Sequence, residues 1–484
     1  SLVGSEMCIR DSPMSIHPCL EEITRKQWGN NGIICTDGGA LKLLIEAHKS
    51  FPSFAEGAAA VVKATTGQFL DAYVPYVKEA LEKGLLTEVD IDKAIRGNIF
   101  VALKLGLLDG DNSRNPYLSI GKNSTETPPF MTAEARRLAR EVTAKSVVLL
   151  KNKKLLPLDA GKLRKIAVIG PYSDKIVQDW YSGTPPYETT ILSGIRNAVK
   201  EGTEIIHAED NRMGQAEKAA AAADVAIVCV GNHPYGTRAD WKFSPVPSDG
   251  REAVDRKSLM LPDEDLVKLV LKANPNTILV LVSSFPYTIN WSQEHVPAIV
   301  HITHCSQEQG NGLADVLFGK VNPAGRTVQT WVKDITDLPD IMDYDIRNGR
   351  TYMYHQGPVL YPFGYGLSYS DFTYEKIESV KQDKKNIRVT VSVKNTSGRD
   401  GEEVVQLYAS YPDSKVERPS KQLRAFRRIP IKAGETRKVT LTVPKEELGY
   451  WNEGKQMFVV EPGTVKLLIG ASSEDIRLEG KIRL

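Results

Sequence analysis

Cysteine is sparse in this 484-residue chain. Cys8, Cys19, Cys35, Cys229 and Cys305 are scattered without a CxxC pair or zinc-ligand spacing, so neither a disulfide framework nor a metal site is expected, and the redox compartment stays open. Long apolar runs are missing too. Nothing approaches the roughly 18 residues a membrane-spanning helix needs, so no membrane partner is expected. Charge of one sign is lacking: 62 Lys+Arg stand against 60 Asp+Glu, a formal +2 spread along the chain. That balance offers no basic face for nucleic acid and no acidic tail, and points to a neutral partner. Phosphate-binding glycine motifs are also absent. Lys165–Pro171 (KIAVIGP) could open a nucleotide-binding unit, but it has neither GxGxxG nor a P-loop, which disfavours a nucleotide-linked enzyme.

What is present is enough for about three domains, with 41% apolar residues to fill their cores. Residues 1–12, SLVGSEMCIRDS, have no secretory pattern and do not continue into the pattern that begins near Met14. They resemble translated sequencing adapter and read as a non-native leader, so the true start, and with it any signal peptide, is left open.

Residues 13–111 read as helix, strand, helix, helix. The apolar run Gly32-Ile33-Ile34-Cys35 predicts a short buried strand, halted by Thr36-Asp37-Gly38-Gly39. A carboxylate at the carboxyl end of a buried strand is where parallel α/β folds keep their chemistry. The same Asp37 also reads as an Asx-turn residue ahead of a helix. Thr87 to Leu105 predicts a last helix with Gly106 at its end. One strand cannot make a sheet, so this segment is expected to be the tail of a larger parallel α/β domain.

Residues 112–132, with Pro116, Pro128 and Pro129, read as a linker. Over 133–345, a helix at 133–146 is followed by strand patterns at 165–169, 204–206, 225–230, 277–282 and 298–302. Helical patterns fall between and after them, at 192–201, 214–222, 262–273 and 311–318. Alternation at that spacing predicts a mostly parallel sheet with helices on both faces. The stretch 231–261, about thirty residues without regular pattern, carries Tyr235, Arg238, Trp241, Glu252, Asp255 and Arg256. Rings with interleaved charges suit a sugar site, where aromatic faces stack on CH groups and polar ends bind hydroxyls; a solvated loop of Arg/Glu pairs fits as well. His301, His304 and Cys305 have no second ligand cluster and read as strand-end packing. After a linker at 346–370, residues 371–484 show short alternating strands separated by turns, an antiparallel β-sandwich of fibronectin type III or immunoglobulin kind, expected to be a structural buttress.

Taken together, Arg25–Ala40 (RKQWGNNGIICTDGGA), Ser248–Pro262 (SDGREAVDRKSLMLP), Asn311–Arg326 (NGLADVLFGKVNPAGR), Tyr361–Tyr374 (YPFGYGLSYSDFTY) and Gly470–Leu478 (GASSEDIRL) resemble, in order and spacing, the C-terminal part of a family-3 glycoside hydrolase of the β-glucosidase and β-xylosidase kind. The resemblance implies part of a (β/α)8 barrel, an α/β sandwich and a fibronectin type III-like domain. It implies a retaining exo-β-glycosidase acting on β-glycosides or oligosaccharides, without cofactor or metal, in a periplasmic or secreted location. Asp37 matches the family nucleophile and Glu252 the acid/base, with Tyr235, Arg238 and Trp241 as substrate contacts. Two departures stand out: Gly38 replaces the usual Trp and Ala253 the usual Gly. Barrel strands that carry the family's sugar-gripping groups have no counterpart ahead of Gly32, so the chain alone is expected to be nearly inactive. A non-catalytic carbohydrate-binding or scaffold protein is the alternative. Glucoside against xyloside, and the oligomeric state, stay open.

Overall fold

The computed structural model describes residues 13–111, 113, 115–118, 120–122, 127–177, 185–232, 256–305 and 307–484. The chain divides at residue 127 into two compact units.

The first unit is built of helices. Phe54–Lys63 and Glu88–Lys104 start where a hydroxyl caps the free N–H groups: Ser53 for the first, and for the second Thr87 with Asp90 in a reciprocal capping box. Ala55, Ala59, Val62, Ala80, Leu86 and Ala94 form one small core, and Leu41, Leu44, Ala58, Val61 and Tyr73 another. The strand expected at Gly32–Cys35 is not formed. Among the described residues this segment pairs only once, in a parallel bridge between Cys35 and Gln68. The apolar run is right for a strand, but a ladder needs neighbours, and one bridge leaves Ile33 and Cys35 exposed. The same deficit shows on the Glu88–Lys104 helix, whose Ile95, Ile99 and Leu103, one turn apart, face solvent.

In the second unit the strands are β1 (Val148–Asn152), β2 (Lys165–Ile169), β3 (Glu204–Ala208), β4 (Val225–Gly231), β5 (Thr277–Val282) and β6 (Ala298–Ile302). They form a sheet in the order β1-β6-β5-β4-β2-β3, parallel except for β1, which runs antiparallel to β6. Parallel strands buried on both faces must be apolar throughout, and VAIVCVG and TILVLV are. Helices Ala133–Ser146, Ile191–Ala198 and Gln309–Leu317 supply one face of the core, and Gln215–Ala221 and Glu264–Ala273 the other. Close packing on the first face uses missing side chains: a Cβ on Gly310 would lie 1.8 Å from the Thr190 carbonyl. Arg140 grips the nearly buried Asp315 through two bonds of 2.5 and 2.6 Å, tying the Ala133–Ser146 helix to its neighbour. Strand β1 was not anticipated, because Val148–Asn152 follows a helix directly and has no turn signal before it.

After a short pair, β7 (Trp331–Val332) and β8 (Val359–Tyr361), the chain enters a β-sandwich. One sheet joins β9 (Phe372–Gln382), β10 (Asn386–Asn395) and β13 (Thr436–Pro444). The other joins β11 (Gly401–Ser410), β12 (Gln422–Ile431), β16 (Thr464–Gly470) and β17 (Ile476–Arg483), and a hairpin, β14 (Tyr450–Asn452) with β15 (Met457–Val459), lies outside both. Inward residues alternate, Val389, Val391 and Val393 on β10 meeting Val405 and Leu407 on β11.

Two of the motifs that carry the family resemblance turn out to be joints. Asn322 fills all four of its side-chain bonding positions, donating to Ser370 Oγ and the Asp400 carbonyl and accepting from Ser368 Oγ and the Tyr369 N–H. Arg326 pairs with Glu403 of β11 at 2.9 Å. In the YPFGYGLSY stretch, Tyr365 donates to the Leu150 carbonyl and Tyr369 to that of Val316. Gly364 sits at φ 79°, and a Cβ there would strike Gln406 at 2.1 Å.

Candidate active site

In the first unit, the chain leaves the Cys35 bridge through Thr36, whose N–H donates to the Gln68 carbonyl and whose Oγ1 accepts from the Leu70 N–H. Asp37 follows, half-buried, its Oδ1 accepting from the Gly38 N–H at 2.8 Å. Gly39, at φ 80°, then turns the backbone into the helical segment beginning at Ala40. An Asx-turn residue would be expected to spend its carboxylate on that helix start. The work is done instead by Asp71, which accepts from the Gly39 N–H at 2.5 Å and the Leu41 N–H at 3.2 Å. Asp37 Oδ2 therefore has no hydrogen-bond partner among the described residues and remains available. Sequence reasoning missed Asp71, thirty-two residues beyond Gly39 in the stretch GQFLDAYV (67–74), with no capping pattern near it. Around Gly38 nothing lies within 4 Å of a would-be Cβ, so the position usually held by Trp is open.

In the second unit, chain order places β4 beside β2, while β3 lies on the far side of β2. Connections leave that point in opposite directions, and open parallel sheets bind ligands at the carboxyl ends of strands flanking such a switch. The stretch from 233 to 255 departs here, after β4. Tyr235, Arg238, Trp241 and Glu252 lie in it, outside the described residues. Both of its ends are described. On the entry side, Asn232 accepts from the Ser284 N–H through Oδ1, and its carbonyl accepts from His304 Nε2 at 2.8 Å. A carbonyl can only accept, so Nε2 carries the proton and Nδ1 faces Ser284 Oγ, also 2.8 Å away. On the exit side, the Arg256 guanidinium lies 3.8 Å from the Phe285 ring centroid and 4.9 Å from that of Tyr287, and donates to the Pro286 carbonyl at 3.2 Å. The Ser284–Tyr287 turn thus anchors both ends of the stretch that carries Glu252. Nothing in the sequence signalled this anchoring or the pairing of Ser284 with His304.

His301 points elsewhere. Its Nε2 lies 3.1 Å from both the carbonyl and Oγ of Ser283, and burial pushes its pKa down to about 4. His304 being spent on Asn232 and Ser284, the HxxHC stretch is held by protein hydrogen bonds; among the described residues no three His, Cys, Asp or Glu side chains converge as a metal site.

Residues 147–369 match the glycosyl hydrolase family 3 C-terminal domain, and residues 403–473 a fibronectin type III-like domain. Among curated relatives, the periplasmic β-glucosidase of Salmonella typhimurium is 29% identical over 95% of this chain and 64% of its own length. A β-xylosidase of Formosa agariphila is 30% identical over 94% of the chain and 65% of its own. The chain thus spans just under two thirds of these relatives. Among solved structures, a β-glucosidase from Erythrobacter marinus superposes with a TM-score of 0.82 at 26% identity, covering 98% of this chain and 66% of that one. The Listeria innocua β-glucosidase, solved in complex with isofagomine, gives 0.81 at 25%, covering 97% and 66%. The fold class is therefore the expected one: part of a (β/α)8 barrel, an α/β sandwich with a mostly parallel sheet, and a fibronectin type III-like sandwich. With that domain order and those relatives on both sides of the glucosidase and xylosidase divide, residues 147–369 belong to the C-terminal domain of glycosyl hydrolase family 3.

Proposed function

We propose that this chain is the portion of a retaining exo-β-glycosidase that carries both reacting carboxyl groups, Asp37 as nucleophile and Glu252 as acid/base, acting on terminal β-glucosyl or β-xylosyl residues. The observation that carries the reading is the division of labour at the Asp37 turn. Asp71 satisfies the backbone N–H groups of the helix start, and the Asp37 carboxylate keeps an oxygen free to attack an anomeric carbon. Retaining hydrolysis needs that oxygen ionised, and a second, protonated carboxyl about 5–5.5 Å away to protonate the leaving oxygen and then activate water. Glu252, on a stretch clamped at both ends by the Ser284–Tyr287 turn, fills the second role, with Tyr235, Arg238 and Trp241 holding the sugar. No step calls on a metal or cofactor. Because the relatives are about half as long again, turnover by these 484 residues alone is low, and the first covalent step is the one to measure.

The test is trapping with 2,4-dinitrophenyl 2-deoxy-2-fluoro-β-D-glucoside and the matching xyloside, whose fluorine slows release of the glycosyl-enzyme. Intact mass followed by peptide mapping should place the added sugar on the peptide containing Asp37, and Asp37→Asn should abolish it. A label on another residue, or one that persists in Asp37→Asn, would falsify the assignment. The sugar that labels faster identifies the substrate class.

A further inference from the structure

The β-sandwich is open along the seam between its consecutive strands β12 and β13. Each is the outermost strand of its own sheet, β12 beside β11 and β13 beside β10, and among the described residues no bridge joins the two. They approach at the turn between them, where Arg437 donates to the Pro430 carbonyl at 2.9 Å. Away from the turn they enclose a groove of about 490 Å3, with residues 423–427 along one wall and 440–442 along the other. Nothing in the proposed reaction uses it.

Register decides what the β13 wall offers. The Lys445 N–H donates to the Lys385 carbonyl at 2.7 Å, and the Asn395 N–H to that of Glu435 at 2.9 Å, just beyond the two ends of the β10–β13 ladder. Directly opposed residues of an antiparallel pair alternate between exchanging both bonds and exchanging none. Thr442 stands opposite Arg388 and Thr440 opposite Thr390, so the odd-numbered residues of β13 bond β10, while the N–H and C=O groups of Lys438, Thr440 and Thr442 point away from it. The register runs unbroken over the whole strand, with no proline before Pro444. A regular edge of this kind is a template for one more strand.

The β12 wall is guarded. It carries Pro430, an irregular register against β11, and Arg427 at a core-facing position. Ala425 and Ile429, of the same parity, pack against the sandwich core, whereas Arg427 is exposed, lines the groove and has no carboxylate partner among the described residues. Arg424 beside it donates to Tyr411 and Gln422, both neutral, and Glu447 is the one acid among the lining residues. A charge on a strand edge excludes strands that leave it unpaired. Here the exclusion is also a preference, because a carboxylate opposite Arg427 relieves it. Two facing walls leave room for a single chain and not for the edge of a folded domain.

We propose that this groove takes a short, extended, acidic peptide segment of a partner protein, added as a strand to β13 with its carboxylates towards Arg427 and Arg424. The sandwich is then a docking domain as well as a buttress.

The test is fluorescence anisotropy of the full chain with a labelled heptapeptide that alternates valine and glutamate, against its counterpart with lysine in place of glutamate. The acidic peptide should bind saturably and at least about tenfold tighter than the basic one, and raising the salt from about 0.05 to about 0.5 M should weaken it severalfold. Arg427→Glu should reverse the preference. Methylating the backbone nitrogens of either all the valines or all the glutamates should, in one of the two frames, weaken binding at least about tenfold, since only one frame faces β13. Thr442→Pro removes an N–H that β10 does not use and should have the same effect; if that variant does not fold, the methylated peptides carry the point alone. Absence of saturable binding, equal affinity for both peptides, indifference to Arg427→Glu, or full binding by both methylated peptides would each overturn the proposal, the last by reducing the contact to adsorption by charge. Displacement of the peptide as the chain self-associates in sedimentation would overturn it in favour of a second copy on this edge.

Discussion

Removing the Glu403 carboxylate should open the joint between the α/β domain and the sandwich. Glu403 and its partner Arg326 have side chains only 4% and 9% exposed, and the second Glu403 oxygen accepts from the Tyr374 hydroxyl at 2.8 Å. Glu403→Ala leaves a guanidinium buried without a counter-charge and a tyrosine hydroxyl without that acceptor. Breaking one side of such a pair costs about 3–5 kcal/mol, whereas replacing both partners by apolar groups of similar volume is often neutral. Because a chain of several domains need not unfold in one step, peptide-level hydrogen exchange suits this better than a melting curve. At about 1.4 kcal/mol per tenfold, amides of Gly401–Ser410 and of the 363–368 strap should exchange roughly a hundred to a few thousand times faster. Amides of the distant β3 should not change. Arg326→Met/Glu403→Leu should recover most of the protection. Acceleration of less than about fivefold in Glu403→Ala, or a double variant as damaged as the single, would refute the view that a desolvated charge pair holds this joint.

Three further outcomes follow from local geometry. Asp71→Ala removes both acceptors at the helix start after Asp37 and should cost about 1–2 kcal/mol, read as exchange at Gly39–Leu43 at least about tenfold faster; an unchanged rate would mean that another group caps the turn. Gly38→Trp should fold with stability within about 0.5 kcal/mol of wild type, because a Cβ there meets nothing within 4 Å; a large loss in a urea titration would show that the turn requires glycine. His301 has its pKa lowered on folding from 6.5 to about 4, so the unfolded chain takes up the proton first. Its contribution to stability is full above pH 6.5 and is lost as pH falls towards 4. Melting curves of wild type and His301→Gln should therefore converge over that window, and parallel pH dependences would rule the mechanism out.

The second unit was the more legible in sequence. Strands Lys165–Ile169, Thr277–Val282 and Ala298–Ile302 stand where the apolar runs placed them, since a strand buried on both faces leaves a run that nothing else explains. The outer elements were harder to see. β9 has a single fully buried position and β17, although it alternates, has none, so neither leaves a strong apolar pattern, and β1 is recognisable only through its pairing with β6. At the site, Asp37 could be singled out from its turn, but the reason it is available could not. Asp71 bonds Gly39 from 32 residues away, and bonds between residues so far apart in sequence leave no local pattern. The same holds for His304 and Ser284, joined across two strand ends.

Asn322 shows what that kind of long-range bonding means for the history of such a chain. One amide side chain serves Ser368, Tyr369, Ser370 and Asp400, groups that lie along the crossing from the α/β domain and inside the sandwich. A recombination event that exchanged the sandwich for another of the same fold would have to restore each of these partners in register. The two domains are consequently expected to travel through gene rearrangements as one inherited block, with viable breakpoints before residue 128 and not near residue 370.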